Sequence, residues 1–248
     1  MDIKKLFFMS STIRLYFPDK IQSDLLSHLT KEQTHYVKDV MRLKTGDKLS
    51  VFNIQGEWHA IIVAYEKKGA KIKMTKKVRD KDNEKNIWLA FSPIKQNPLN
   101  FIIQKGTELG VQKFIPILSE RTIVREINLE RVKKIIVEAS EQSNRISVPE
   151  INKPDSLKNF LSIFPKNGCL IFCDINSNQN NLKNIFEKKV DGPVCVLIGP
   201  EGDFSENERK MIIDLNQTYS ISLAKNILKA ETAAISAITI VNYHLNLS

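Results

Sequence analysis

No apolar run in this 248-residue chain approaches the roughly 18 residues of a membrane span. At the start, Met1 to Ser10 (MDIKKLFFMS) sets two lysines before LFFM. That patch is shorter than the roughly 7–15 residues of a signal-peptide core, and no cleavage site follows. The expectation is a soluble, cytoplasmic protein with no membrane association and a short N-terminal extension of no assigned role. Cysteine is scarce. Cys169, Cys173 and Cys195 are odd in number, lie in or beside apolar segments and lack zinc spacing, so buried free thiols are expected. His28, His35, His59 and His244 are scattered without metal-site spacing, and no metal is expected. There is no G-x-x-x-x-G-K-[ST] and no G-x-G-x-x-G after a strand, which argues against the common phosphate cradles. Ser140, Ser143 and Ser205 have no histidine near them in sequence, so no nucleophile–base pair can be read. Internal repeats and low-complexity tracts are lacking too.

Hydrophobic residues make up 42%, enough for a core, and the length fits one large or two modest domains. The net charge is +9 and the pI about 9.3, which suits a polyanionic partner. The charge is uneven. Residues 1–83 hold 17 Lys+Arg against 10 Asp+Glu, net +7, whereas residues 84–248 are net +2. In the basic part, Lys48 to Ile54, Glu57 to Tyr65 and Ala70 to Val78 read as strands divided by Gln55-Gly56 and Lys67-Lys68-Gly69 turns. Ala70, Ile72 and Met74 alternate with Lys71, Lys73 and Thr75, so one face is apolar and the other basic. The stripe from Lys67 to Lys81, joined by Arg42 and Lys44, is either an RNA-contacting surface or a solvated edge that discourages aggregation.

Asp80 to Lys85 (DKDNEK) is charged, apolar-free and the best linker candidate. Beyond it, strands and helices alternate. Ile87 to Ser92 is a strand, and Asn97-Pro98 reads as an N-cap with proline at the first helical position. Leu99, Ile102, Ile103 and Leu109 recur at helical spacing before Gly110. Lys113 to Leu118 is a strand, and Leu129, Val132, Ile135, Ile136 and Ala139 mark another amphipathic helix. Cys169 to Cys173, Val194 to Ile198 and Tyr219 to Leu223 complete the strands, and Glu231 to His244 is the last helix. The alternation predicts an α/β fold with a mostly parallel sheet covered on both faces, wound like flavodoxin if pattern alone decides.

Two segments concentrate the chemistry. VCVLIGPEGDFS (194–205) runs from a buried strand through Gly199-Pro200-Glu201-Gly202 to a Ser205/Glu208 capping box. SLAKNILKAETAAISA (222–237) makes a similar passage into the final helix. Loops leaving the carboxyl ends of buried strands are where open α/β sheets bind ligands. S-adenosylmethionine needs no phosphate cradle. Backbone groups of GPEG and of Leu223 to Lys229 suit its adenine edge, and Ile198, Leu223, Ile227 and Leu228 suit its faces. Glu201 reads equally as a functional acid or a turn residue. Arg121 and Arg145 read as phosphate clamps, base-stacking groups or salt-bridge partners.

LIGPEGDFS (197–205), LAKNILKAETAAISA (223–237), QKGTELGVQKFIPILSERT (104–122) and EASEQSNR (138–145), with MRLKTGD (41–47) ahead of them, together resemble the ribosomal RNA small subunit methyltransferase E family. The resemblance runs from about Arg14 to the C-terminus. It implies a PUA-like RNA-binding β-barrel over residues 1–83 and a SPOUT-type α/β domain with a deep trefoil knot over residues 84–248. It also implies a homodimer, S-adenosyl-L-methionine as cofactor and methylation of N3 of a uridine in the 16S ribosomal RNA of the small subunit.

The family's cofactor loops map onto Leu197, Ile198, Gly199, Pro200, Glu201 and Gly202. The second loop runs from Leu223 and Ala224 through Ile227 and Leu228 to Thr232 and Ala233. Its RNA-facing residues map onto Arg121, Glu141, Gln142, Asn144, Arg145 and Glu231; Arg42, Lys44, Lys71 and Lys73 extend that surface. The expected mechanism is in-line displacement on the sulfonium methyl. Arg145 or Lys229 sets charge near the uridine oxygens, and Glu231 or Glu201 serves as base or orients the base edge. Four departures stand out. The family's GPEGG ends here in Asp203, and its LG-x-R-ILR-x-ETA carries Ala224, Asn226 and Lys229 in place of glycine and two arginines. Ala224 requires a backbone that tolerates a Cβ, and Lys229 keeps the charge without the bidentate fork.

Overall fold

The computed structural model describes residues 13–81, 84–179, 183–186 and 190–247. The extension Met1 to Ser10, and Asp82 and Asn83 of the charged linker stretch, lie outside the described residues. Contacts divide the chain into two units, Met1–Asn83 with Glu141–Ser147 and Glu84–Ser140 with Val148–Ser248.

In the first unit, β1 (Arg14–Tyr16), β2 (Leu26–His28), β3 (Lys48–Asn53), β4 (Gly56–Glu66) and β5 (Gly69–Arg79) form one sheet in the order β1-β3-β4-β5-β2. Only the β1–β3 pair is parallel. Alternation decides the faces: Ala70, Ile72 and Met74 are fully buried with Leu49, Val51, Ala60 and Ile62. A short helix α1 (Lys31–His35), capped by Thr30 and Gln33, runs into a π-helical turn (Tyr36–Val40) that delivers Val37 to the same core. The β3–β4 turn needs Gly56. Its φ is +130°, and a Cβ there would lie 2.3 Å from the Arg79 carbonyl oxygen.

The second unit is built on β6 (Ile87–Phe91), β7 (Val111–Leu118), β8 (Glu150–Ile151), β10 (Cys169–Cys173), β11 (Val194–Ile198) and β12 (Thr218–Ile221), while β9 (Asp155–Ser156) pairs separately with β7. The order is β12-β10-β11-β6-β7-β8, and every pair is parallel. Alternate residues feed two cores. Leu89, Phe91, Ile171, Val196 and Ile198 pack with α2 (Gln96–Glu108), α3 (Leu129–Gln142) and α7 (Ala230–Leu247). Ala90, Ile117, Leu170, Phe172, Cys195 and Leu197 pack with α4 (Leu157–Ile163) and α6 (Glu206–Ile213). A strand buried on both faces has no polar alternation to display, which is why CLIFC and VCVLI are continuously apolar. The short α5 (Lys183–Phe186) adds Phe186 to the first of these cores.

Two expectations are corrected. A flavodoxin-like winding would set β10 against β6. Instead β11 lies between them, so β10 and β11 exchange places and the chain ends by returning from edge strand β12 to pack α7 on α2 and β11. The proline of α2 is not at its first position either. The N-cap is Lys95, and Pro98 is the third helical residue. The first four amides of a helix have no intrahelical acceptor, so a proline there forfeits no bond.

Candidate functional site

The loops after β7, β10, β11 and β12 all leave the carboxyl edge of the parallel sheet. Between β11 and α6 the chain turns at Pro200, where the Asp203 amide donates to the Pro200 carbonyl at 2.9 Å. Asp203 has φ +60°, the left-handed region that favours glycine. Its carboxylate accepts the Phe204 amide at 2.8 Å, a local bond that lets aspartate stand there. That bond accounts for an aspartate at a position whose backbone favours glycine. Gly199 and Gly202 need no positive φ. A Cβ on Gly199 would meet the Phe204 ring at 3.0 Å, and one on Gly202 would meet only the Arg121 side chain at 3.6 Å.

Two carboxylates fasten this edge. Glu208, buried in the first turn of α6, completes the capping box with Ser205 and also accepts the Glu120 amide at 2.8 Å. That bond ties the β7 loop to α6, and Arg121 beside it donates to the Gly202 carbonyl at 2.8 Å. Asp174, at the end of β10, has a fully buried side chain. It accepts from Arg209 of α6 at 2.8 and 3.0 Å, from the Ser220 hydroxyl at 3.0 Å and from the Asn176 amide at 2.9 Å. The hydrogen bond to Asp174 raises the Arg209 pKa further above its usual value. Asp174 joins three segments, and sequence reading missed it; a lone carboxylate directly after the apolar CLIFC was the available signal.

Among the residues singled out from sequence, Leu197 and Ile198 are buried in β11, Pro200 is buried, Gly199 is half-buried, and Glu201 and Gly202 are exposed. In the β12 loop, Leu223 and Leu228 are half-buried, whereas Ala224 and Lys229 are exposed and Ile227 is 85% exposed. Ala224 is not among the residues with positive φ, so its Cβ is unstrained. Glu231 is half-buried in the acidic first turn of α7. Thr232 is exposed, and Ala233 packs on the core and donates its amide to the Lys229 carbonyl at 2.8 Å. The structure thus brings Arg121 onto the GPEG loop and sets both loops on one edge, flanking β10.

The remaining residues belong to the first unit. Arg42 is exposed with φ +57°, and Lys44 is exposed two residues on. Lys71 and Lys73 are half-buried and paired, with Glu66 at 3.4 Å and Asp24 at 2.8 Å. Glu141 accepts the Tyr16 amide through its carboxylate at 2.9 Å, and Gln142 is exposed. Asn144 has φ +62° and accepts from Arg79. Arg145 is 7% exposed and donates to the Ser147 hydroxyl at 2.8 Å. Among the described residues no group of three or more His, Cys, Asp or Glu is placed to hold a metal, and no helix is long and apolar enough to cross a membrane. Cys169 and Cys195 are buried free thiols and Cys173 a half-buried one.

Comparison with known proteins agrees with this architecture. A family model described as an RNA methyltransferase domain matches residues 80–242, and one described as an RNA methyltransferase PUA domain matches residues 29–75. The parallel α/β sheet with loop sites on its carboxyl edge, preceded by a PUA sheet, defines an RNA methyltransferase of the SPOUT-like class. A relative from Rickettsia conorii, named ribosomal RNA small subunit methyltransferase E, is 32% identical over 91% of this chain and 93% of its own. A solved structure of the enzyme of that name from Neisseria gonorrhoeae, bound to S-adenosyl methionine, superposes with a TM-score of 0.84 at 28% identity, covering 94% of this chain and 97% of its own. A Legionella pneumophila methyltransferase solved with the same cofactor gives 0.82 at 29% identity over 94% and 97%. The chain belongs to the ribosomal RNA small subunit methyltransferase E family.

Proposed function

We propose that this protein methylates N3 of a uridine in small-subunit ribosomal RNA, using S-adenosyl-L-methionine, in the cytoplasm and as a homodimer. The observation that carries the reading is the pair of backbone-rich loops flanking β10, found on a chain that aligns over nearly its whole length with a cofactor-bound methyltransferase. The residues present fit that cofactor. Leu223 and Leu228 offer half-buried apolar surface, Leu197 and Ile198 lie in the core beneath the loop, and Gly199 and Gly202 leave the loop backbone without side chains at those two positions. The chain supports a knot at the same place: the passage from β12 back to α7 carries Leu223 to Lys229, next to the exchanged strands. Residues 1–83 supply the RNA-binding domain and residues 84–248 the transferase domain.

S-adenosylmethionine, when bound, would supply an electrophilic methyl group for the uridine N3, with S-adenosylhomocysteine as the other product. The chain's task is the N3 proton, because a protonated imide nitrogen is a poor nucleophile at neutral pH. Glu231 removes that proton or Glu201 does, and Arg145 or Lys229 holds the negative charge that spreads to the uridine oxygens. Arg42, Lys44, Gln142 and Asn144 of the first unit and Arg121 of the second are the residues that would bind the RNA and orient the uridine. Lys71 and Lys73 join them by leaving their acidic partners for phosphates. The departures at Asp203 and Ala224 are compatible with an active enzyme, since Asp203 holds the turn and Ala224 is unstrained.

Titration with S-adenosylmethionine by calorimetry, followed by transfer of its labelled methyl group to small subunits that lack the modification, tests the reading. Binding with transfer is expected; Glu231→Gln should spare binding and depress turnover. Failure to bind the cofactor would overturn the reading.

A further inference from the structure

Within the first unit, one acidic side chain gathers two arginines around the 141–147 segment. Glu57 is 5% exposed. It accepts Nε and Nη2 of Arg14 at 3.1 Å each and Nη1 of Arg79 at 3.5 Å. The Arg14 guanidinium also lies 4.3 Å over the Phe52 ring. Both guanidiniums then spend further donors on main-chain oxygens. Arg14 donates to the carbonyls of Glu141 at 2.9 Å and Arg145 at 2.8 Å. Arg79 donates to the carbonyl and side-chain oxygen of Asn144 at 2.9 and 3.0 Å. The Tyr16 amide closes the set on the Glu141 carboxylate.

We propose that Arg14, Glu57 and Arg79 are positioning residues that fix the backbone of residues 141–147 for RNA recognition. The proposal rests on the functional reading above, in which Gln142, Asn144 and Arg145 face the substrate. Desolvation offsets much of the attraction in a cluster this buried, so stability is a poor reason for it. Direction is a better one. Planar guanidiniums with fixed forks hold three carbonyls at set positions, which lysine cannot do. The segment also contains Asn144 in the left-handed region, a conformation that commonly ends a helix, with its carbonyl held by Arg79. Glu141 and Gln142 close the last turn of α3, whose carbonyls lack intrahelical partners, and Arg14 caps one of them. Residues 141, 144 and 145 are therefore pinned while Gln142 stays exposed.

The test compares the full chain with Arg14→Lys, Arg79→Lys and Glu57→Gln. Three quantities are read: amide hydrogen exchange of residues 142–147, cofactor affinity, and KM and kcat on small subunits. The lysine variants are expected to exchange that segment at least tenfold faster. They should raise KM for small subunits about tenfold while cofactor affinity stays within twofold. Arg79, at 32% side-chain exposure, carries the test should Arg14→Lys fail to fold. Unchanged exchange and unchanged KM in both lysine variants would overturn the proposal. So would a loss of cofactor affinity in step with KM, which marks general disruption. A wild-type chain that transfers no methyl group would defeat the functional reading instead, and the exchange rates would still judge the clip.

Discussion

Replacing Glu208 with alanine is expected to destabilise the second unit by about 2 kcal/mol. The carboxylate is buried and accepts two amides, from Glu120 at 2.8 Å and from Ser205 at 3.0 Å. Each charge-assisted bond contributes about 1.5 kcal/mol at the lower end of the usual range, which applies because Glu120 is exposed and water can replace its partner. The favourable position in the first turn of α6 adds about 0.5 kcal/mol. Against this roughly 3.5 kcal/mol, alanine avoids about 1.5 kcal/mol of side-chain ordering. Glu208→Gln keeps one acceptor oxygen but turns an NH2 toward amide donors, so it should lose about 1 kcal/mol. Urea unfolding followed by circular dichroism, fitted to the transition of the second unit, gives both values. A change below about 0.5 kcal/mol for Glu208→Ala would refute the claim that this side chain fastens the β7 loop to α6.

Asp203→Gly should leave stability within about 1 kcal/mol of wild type, because relief of the positive φ offsets loss of the Phe204 bond; Asp203→Val should be clearly worse in the same unfolding experiment. Burial pushes the Cys169 thiol up to about 12, so a thiol reagent at pH 8 should not label it until the protein unfolds. The sign of the linked pH effect follows. A thiol that ionises near 9 when unfolded but near 12 when folded leaves stability constant below pH 9 and lowers it as pH rises from 9 to 12, measurable by unfolding at stepped pH. RNA affinity should fall with salt, and removing Arg42 and Lys44 together should reduce that logarithmic slope by about 2. Lys73→Ala should reduce it less, because Lys73 is already paired with Asp24; equal slopes would show that the pairing is irrelevant to binding.

Local features of the chain were legible where local chemistry specifies them. The turn at Gln55-Gly56 and the alternation of Ala70, Ile72 and Met74 anticipate β4 and β5 closely. The Ser205/Glu208 capping box is present as read. Strand order was not legible, because a continuously apolar strand such as VCVLI carries no mark of its neighbours; only the family resemblance pointed away from a flavodoxin-like winding. The two-residue β8 and β9 are too short to leave a pattern. The transfer of residues 141–147 to the first unit depends on Arg14 and Arg79, which lie 127 and 65 residues away from their partners Glu141 and Asn144. Spacing along the chain cannot reveal such pairs. The GPEG loop was recognisable as a loop after a buried strand, but the left-handed Asp203 within it emerged only from the backbone.

The most direct measurement is the chemical identity of the methylated nucleoside. Small subunits lacking the modification are incubated with the protein and methyl-labelled S-adenosylmethionine, the RNA is digested, and the labelled nucleoside is identified by chromatography and mass. Label in N3-methyluridine, abolished by Glu231→Gln or Glu201→Gln, is the expected result. Label in a ribose 2′-O-methyl nucleoside, or in any base other than uracil, would contradict the assignment.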